Sequence, residues 1–168
     1  MNIIVAVDRN WAIGKKGQLL FRIRDDLEYF RTLTTGNCVI YGRKTLETFP
    51  KKAPLPHRDN VVLTENKSFE VDAMVAHSLD ELCWIIHNYP TEQVYVIGGA
   101  SVYRQLLPYC DTAYITKINA SIEEADAFFP NLDADPDWQI AEEGENRQSS
   151  DGVWFRFVKY RNKQPRDF

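Results

Sequence analysis

QVYVIGGASVYRQLL, residues Gln93 to Leu107, is the stretch around which the rest of the chain is arranged. Val94, Tyr95, Val96 and Ile97 are β-branched or aromatic, and too little polarity interrupts them for a strand with one face in water, so they predict a strand buried on both sides. Gly98-Gly99 then opens backbone conformations closed to other residues and permits a close approach to a ligand. Ala100, Val102, Tyr103, Leu106 and Leu107 recur at helical spacing, and Pro108 stops the helix. The amides that open such a helix lack partners within it, and its dipole adds partial positive charge, so the turn is a candidate phosphate seat. A Gly-Gly turn that serves only close packing is the competing explanation.

The same strand-glycine-helix unit recurs upstream. Cys38 to Tyr41 predicts a strand that runs into Gly42-Arg43-Lys44-Thr45 and a short helix ending near Pro50. It is not a Walker A loop: five residues separate Gly36 from Gly42, and those residues form the strand itself. Ile3 to Val7 is a first buried strand. Asp8 to Arg24 holds two glycines, several charges and no sustained period, which predicts a long loop with Trp11, Ile13, Leu19, Leu20 and Phe21 to bury. Closure over a ligand and an Ω-loop packed for its own sake both fit.

Asp25 is placed to cap a helix with Leu27, Phe30 and Leu33 on one face and Gly36 as its stop, which sets Asp26 in the first turn. Lys51 to Asp59, with Pro54 and Pro56, is an irregular connection between that region and strands at 60–64 and 73–76. Ser78 and Glu81 form a capping box for a helix through about Asn88, with Leu79, Leu82, Ile85 and Ile86 as its apolar stripe. Thr112 to Ile118 is a further strand, Asp126 to Pro130 a loop with two aromatics, and 138–142 with 153–160 a closing antiparallel pair. Helices alternating with strands over the first two thirds predict an α/β fold, its sheet mainly parallel and covered on both faces.

At 168 residues and 44% hydrophobic composition the chain can bury one sizeable core, so a single domain over 1–168 is expected, with no repeat or linker. A net charge of −4 argues against a basic face for nucleic acid, so any anionic ligand must be met by local charges. Cys38, Cys83 and Cys110 are odd in number, widely spaced and in apolar surroundings, which predicts buried, reduced thiols of a cytosolic protein. The apolar run from Ile3 is broken at Asp8-Arg9, too short for a signal peptide or a membrane span.

Motifs for nucleophilic and zinc chemistry are missing: there is no GxSxG, HExxH or paired Cys/His. His57, His77 and His87 lie in separate polar or helix-surface contexts, which suits solvated residues better than bases. Two glycine-helix seats with Arg43, Lys44 and His77 suggest a dinucleotide with several phosphates, although GxGxxG is absent. A nicotinamide cofactor would supply a hydride and leave the protein to orient the substrate and handle one proton. Asp26 is the carboxylate free for that task, although a first-turn Asp commonly only complements the helix dipole.

Taken together, Val5-Ala6-Val7-Asp8-Arg9 with Ile13-Gly14, Asp26-Leu27-x-x-Phe30, Val39-Ile40-Tyr41-Gly42-Arg43-Lys44-Thr45, Leu55-Pro56-x-Arg58, Val96-Ile97-Gly98-Gly99-Ala100-x-Val102-Tyr103 and Phe128-Phe129-Pro130 resemble the dihydrofolate reductase family in order and spacing. The resemblance implies a cytoplasmic NADPH-dependent enzyme of one-carbon metabolism that reduces 7,8-dihydrofolate to tetrahydrofolate, with an eight-stranded sheet and four helices. It implies binding of dihydrofolate and antifolate inhibitors, no nucleic acid or membrane partner, no metal, and a monomer. Asp26 is then the pterin-pocket carboxylate and Thr116 its hydrogen-bond partner. Carbonyls of Ile4 and Ile97 take the remaining amino hydrogens, Val5, Ala6, Leu27, Phe30, Phe49 and Leu55 wall the pocket, and Tyr103 adjoins it. Arg58 clamps the α-carboxylate of the folate glutamate. On the cofactor side the resemblance implies Ala6, Ile13, Gly14, Leu19, Thr45, Ile97, Gly98, Gly99, Ala100, Ser101, Val102 and Tyr103 around the nicotinamide half and pyrophosphate. It implies Gly42, Arg43, Lys44, Leu63, Thr64, Glu65 and His77 towards the adenosine phosphate end.

The departures from the family pattern are specific. Leu20-Phe21 replaces a Pro-Trp pair and so removes an indole N–H, Leu46 stands where tryptophan is frequent, and His57 where Gly or a small polar residue often is. Ala127 replaces the threonine of a Gly-Asp-Thr-x-Phe-Pro run, and Glu65 sets a negative charge beside Thr64. Two other readings keep the fold: a reductase of a ribosylamino-pyrimidine, against which Asp26 and Arg58 argue, and a catalytically silent dinucleotide-binding module.

Overall fold

The computed structural model describes residues 1–19 and 21–168. Its strands are β1 (Asn2–Val7), β2 (Ala12–Lys15), β3 (Gln18–Leu19), β4 (Cys38–Gly42), β5 (Asp59–Leu63), β6 (Met74–Ala76), β7 (Val94–Gly98), β8 (Thr112–Ile118), β9 (Ala127–Phe128), β10 (Trp138–Glu143), β11 (Arg147–Gln148) and β12 (Trp154–Asn162). Its α-helices are α1 (Arg24–Thr34), α2 (Arg43–Leu46), α3 (Leu79–Ile86) and α4 (Ala100–Leu106). The main sheet runs β10-β12-β8-β1-β7-β4-β5-β6, with β11 beside β12. From β8 to β6 every pairing is parallel, and β12 and β10 close the other edge antiparallel, as the sequence predicts.

Period-two alternation sorts the strands between two cores. Ile3, Val5, Val7, Cys38, Ile40, Val94 and Val96 point to one face, where Leu82 and Ile86 of α3 and Val102 and Leu106 of α4 cover them. Ile4, Val39, Tyr41 and Tyr95 point to the other, under Phe30 and Leu33 of α1 and Leu46 of α2. A third cluster joins Ile23, Ile118 and Phe155, with Phe21 and Ala6 against it. Asp26 is therefore carried on a helix laid over the second face, near the seam with the third cluster.

Several local expectations shift. The 8–24 segment is not an unstructured loop: Ala12–Lys15 and Gln18–Leu19 form a hairpin, and β2 also pairs with β9, making a small second sheet. That hairpin depends on long-range pairing with Ala127 and Phe128, which no local period records. Asp25 does not cap α1. The cap position is Ile23, extended and without a side-chain hydrogen bond, and its burial against Ile118 and Phe155 sets where the helix begins. Asp25 and Asp26 lie in the first turn, where they complement the dipole instead. Leu27 is 46% exposed, so the apolar stripe by which α1 packs on the sheet is Phe30 and Leu33, both partly buried. Ser78 does cap α3, its hydroxyl accepting from the Glu81 amide at 3.1 Å. The reciprocal bond reaches one residue further back, with the His77 amide donating to Glu81 Oε2 at 2.7 Å. Of the three thiols, Cys38 and Cys110 are buried and Cys83 is only partly so.

Burial should outweigh capping in α3. Leu82→Ala, at a fully buried position, is expected to cost about 2–5 kcal/mol, and Ser78→Ala about 1 kcal/mol. Urea unfolding midpoints at unchanged slope measure both; a cap loss as large as the Leu82 loss would reverse that ranking.

Candidate active site

Parallel pairing lines up the C-terminal ends of the central strands. Tyr41 of β4 is in register with Gly98 of β7, Gly42 with Leu63 of β5, and Leu63 with Ala76 of β6. Gly98-Gly99, Gly42-Arg43, Thr64 and His77 therefore succeed one another along one edge of the sheet, the edge where open α/β sheets take ligands. The two glycine turns press on each other's helices. A Cβ on Gly99 would lie 3.4 Å from Thr45 Oγ1, and one on Gly42 3.3 Å from Val102 Cγ2. Gly98 has φ +124°, which side-chain-bearing residues rarely adopt, and a Cβ there would meet the Tyr103 ring at 3.4 Å. Both α2 and α4 are short, so the turns offer an anion mainly first-turn amides rather than a long macrodipole.

The carboxylate is carried on α1, which covers the same face of the sheet as α2 and the opposite face from α4. Asp26 is held by Thr116, whose hydroxyl donates to Oδ1 at 2.5 Å. Thr116 is itself buried on β8, opposite Ala6 of β1. Burial pushes the Asp26 carboxyl above its ordinary value of 3.8, and the Thr116 hydrogen bond holds it partly down. Tyr103 ties the two sides together. Its hydroxyl donates to the Ile4 carbonyl at 2.9 Å, and burial, then the Asp26 charge, raise its pKa.

Ile4, Phe30, Phe49, Leu55 and Ile97 share the cluster on the Asp26 face, with Phe49 edge-on to Tyr41 at 4.9 Å between centroids. Ala6 lies beside it in the third cluster. Val5 packs into the opposite core, so its side chain is not a wall on this face, and Leu27 sits at the rim. Arg58 donates through Nε to Thr34 Oγ1 at 3.1 Å and through Nη1 to the Pro56 carbonyl at 2.9 Å, with its guanidinium 5.9 Å from the Phe30 ring centroid.

On the cradle side, Ala100, Ser101 and Val102 form the first turn of α4, and Lys44 and Thr45 lie in α2. Ile13 is buried in the main core, and Gly14 pairs with both Leu19 and Ala127. Leu20 lies outside the described residues; its neighbour Phe21 packs beside Ile23. His77 Nδ1 is 2.9 Å from the Thr64 carbonyl, and the Thr64 hydroxyl accepts from the Asn66 amide at 3.2 Å. Arg43 pairs with Glu47 at 3.6 Å rather than with Glu65, which is exposed.

Two positioning side chains went unrecognised in the sequence. Asn60 accepts from the Tyr41 hydroxyl (2.8 Å) and the Leu55 amide (3.0 Å), and donates to the Leu55 (2.8 Å) and Arg58 (3.1 Å) carbonyls, so it fixes the loop carrying Arg58. Asp8, 2% exposed, accepts from the amides of Asn10, Ala12 and Ile122 at 2.8, 2.9 and 3.0 Å. An Asp that breaks an apolar strand just before Asn10 signals a local turn, but its bond to Ile122 has no local signature.

Residues 1–162 match the family model described as "Dihydrofolate reductase". The chain is 37% identical to a dihydrofolate reductase of Staphylococcus haemolyticus over 140 residues, 83% of this chain and 81% of that one. It is 34% identical to one of Bacillus subtilis over 165 residues, 97% and 95% of the two chains. Among solved structures, a dihydrofolate reductase from Enterococcus faecalis complexed with NADP(H) and RAB-propyl superposes with a TM-score of 0.84. Its identity is 32%, with 96% of this chain and 95% of that chain covered.

The raised Asp26 pKa has a consequence for stability. A carboxyl whose folded pKa is raised stabilises the fold fully only below the unfolded value, and that contribution is lost as pH rises through the folded pKa. Asp26→Asn should therefore unfold at higher urea than the parent at neutral pH, with the gap closing as pH falls towards 4. Asparagine still offers Thr116 an oxygen acceptor. A variant less stable than the parent at pH 7 would refute the burial cost.

Proposed function

The chain belongs to the dihydrofolate reductase family and reduces 7,8-dihydrofolate to 5,6,7,8-tetrahydrofolate with NADPH; we propose that the pocket beside Asp26 carries this reaction. The observation behind the proposal is a largely desolvated carboxylate, fixed by Thr116, whose charge reaches Tyr103, the residue that adjoins Gly98 of the glycine cradle. Residues 1–168 act as one unit, a monomer in the cytoplasm, and antifolate inhibitors compete for the same pocket.

The residues present fit the cofactor. Gly42 lacks the Cβ that would press on Val102 Cγ2 at 3.3 Å, Gly98 takes a φ of +124° that favours glycine, and Arg43, Lys44, Thr64 and His77 bring hydrogen-bond donors to the same sheet edge. When bound, NADPH supplies the hydride. Gly98, Gly99, Ala100, Ser101, Val102, Tyr103 and Thr45 hold its nicotinamide half and pyrophosphate, with Ala6, Ile13, Gly14, Leu19 and Ile97 alongside. Gly42, Arg43, Lys44, Leu63, Thr64 and His77 hold its adenosine phosphate end.

Ionised Asp26 accepts two parallel hydrogen bonds from the 2-amino group and ring nitrogen of the pterin, which turns C6 towards the hydride. Thr116 keeps the carboxylate in one rotamer, so little reorganisation is left for the reaction. Asp26 polarises the ring while a water delivers the proton to N5. The Ile4 and Ile97 carbonyls accept the remaining amino hydrogens; Ile4 O already takes one bond from Tyr103 and has a second lone pair. Phe30, Phe49 and Leu55 exclude water. Arg58 spends Nε and one Nη1 hydrogen on the protein, which aims its remaining N–H groups at the α-carboxylate of the glutamate.

Purified protein with NADPH and dihydrofolate should lose NADPH absorbance, and no loss would sink the reading. Asp26→Asn should lower kcat/KM by about 2–4 kcal/mol equivalent at neutral pH, because an amide offers a donor where the pterin needs an acceptor. Near-normal turnover would remove Asp26 from the mechanism.

Glu65 bears on the choice between NADPH and NADH. Unit charges about 6 Å apart interact by about 0.7–2.8 kcal/mol before salt screening, and an exposed carboxylate sits at the low end. Because Arg43 is paired with Glu47, Glu65 is left to act on the 2′-phosphate directly. NADPH should remain preferred, and Glu65→Gln should strengthen NADPH binding, leave NADH nearly unchanged, and lose its benefit as salt rises. Titration of both cofactors across salt measures this; equal gains for the two would show that Glu65 acts through structure.

A further inference from the structure

Three side chains at the start of α1, spaced three residues apart, meet one antiparallel ladder. In that ladder Phe155 of β12 lies opposite Ile118 of β8, and Phe157 opposite Thr116, so the four side chains share a face of the sheet in two successive rungs. Ile23, at the cap position, packs on the first rung with Ile118 and Phe155. Asp26, one turn on, meets the β8 member of the second rung, accepting from Thr116 at 2.5 Å. Tyr29, a further turn on, meets the β12 member, with its ring tilted over Phe157 at 4.2 Å between centroids. Phe157 is itself held: Phe155 stands edge-on to it at 5.6 Å, and the Arg147 guanidinium lies 5.3 Å from its centroid.

The carboxylate is thus set between two apolar anchors on its own helix. Phe30 and Leu33 tie α1 to the cluster of Ile4, Val39 and Tyr41, on the side of β1 and β4, whereas Tyr29 ties it to β12 on the other side of β8. With anchors on one side only, the helix could roll about its axis and carry Asp26 with it. Burial first, then the charges of Tyr114, Tyr95, Glu142 and Asp26, push the Tyr29 hydroxyl up to about 12, so Tyr29 is neutral and offers Asp26 a ring that excludes water rather than a charge. The groups that face Asp26 are Thr116 from β8, Tyr103 from α4 and Tyr29 from α1 itself.

We propose that Tyr29 and Phe157 are positioning residues for the reaction: their stacked rings fix the roll of α1, so that Asp26 meets Thr116 and the pterin from one place. The inference rests on the activity assigned to the pocket. Neither ring touches a reacting atom, and the bond that matters chemically is made by Asp26.

The test combines steady-state kinetics with a titration of the Asp26 carboxyl, followed by carbon-13 shifts in aspartate-labelled protein and assigned by the signal missing from Asp26→Asn. Tyr29→Ala should lower kcat/KM for dihydrofolate about tenfold, as small misplacements of a catalytic group do, and leave the Kd of NADPH nearly unchanged. Its Asp26 midpoint should fall below the parent's, because water replaces the ring. Tyr29→Phe, which keeps the ring, should restore both values, and Tyr29→Leu, which keeps apolar volume without the stack, should fall between the two. Phe157→Ala should match Tyr29→Ala, and the double variant should lose no more than either single one, since the two rings act as a pair. Leu82→Ala, a destabilising change under the opposite face, should move neither kcat/KM nor the Asp26 midpoint. Losses in Tyr29→Ala with the Asp26 midpoint unmoved, or equal losses in Leu82→Ala, would overturn the inference by reducing the stack to general stability. Fully additive losses for Tyr29 and Phe157 would overturn it as well. A parent that turns over no dihydrofolate would overturn the assigned activity, and this inference with it.

Discussion

Parallel pairing between strands buried on both faces is the constraint from which the rest of the molecule follows. Such strands must hide their backbone polar groups in the ladder, so the chain can change direction only at their ends. With β1, β7, β4, β5 and β6 all running the same way, their glycine turns and polar ends are brought to a single edge. The Gly42 and Gly98-Gly99 turns are far apart in sequence and adjacent in space because β4 and β7 are neighbours. Alternation of side chains then divides the helices between two faces. This leaves α1, with its carboxylate, opposite the helices that close the main core.

Asp26 shows how the site draws on the stability of the fold. A carboxyl on an apolar face is costly to ionise, and the Thr116 hydroxyl offsets only part of that cost. The same burial strengthens any hydrogen bond the carboxylate makes to a ligand, since little water competes there. Tyr103 forms a shared floor. It reaches the Ile4 carbonyl on the carboxylate side, and on the cradle side a Cβ on Gly98 would stand 3.4 Å from its ring. A change at Tyr103 would therefore be felt by both halves of the site.

The hairpin at 12–19 is held by its neighbours more than by its own sequence. Asp8 bonds Ile122, Arg9 donates to the Ala120 carbonyl at 2.9 Å, and the Lys16 amide donates to Asp126 Oδ2 at 2.9 Å. The Phe129 amide bonds the Trp11 carbonyl at 2.8 Å, and the two rings stack at 6.2 Å. The segment that carries Ile13 and Gly14 is thus positioned by residues 119–129, where Ala127 stands in place of the family's threonine.

The sequence alone determined what depends on neighbours along the chain. Runs of β-branched and aromatic residues placed the strands, Gly42 and Gly98-Gly99 marked the turns, Ser78 marked the start of α3, and the order of the motifs identified the family. Asp26, Thr116 and Arg58 were legible through that order, not through any period. Tertiary structure decided what depends on partners distant in sequence. It set Ile23 rather than Asp25 at the start of α1, because Ile118 and Phe155 bury that residue. It turned Val5 into the opposite core, paired Arg43 with Glu47, and built a hairpin where 8–24 has no sustained period. It also brought Arg31 near enough to Arg58 for the two charges to be felt. Local periodicity records which side of an element is apolar; only folding supplies the surface that side must meet, and with it the charges that come together there.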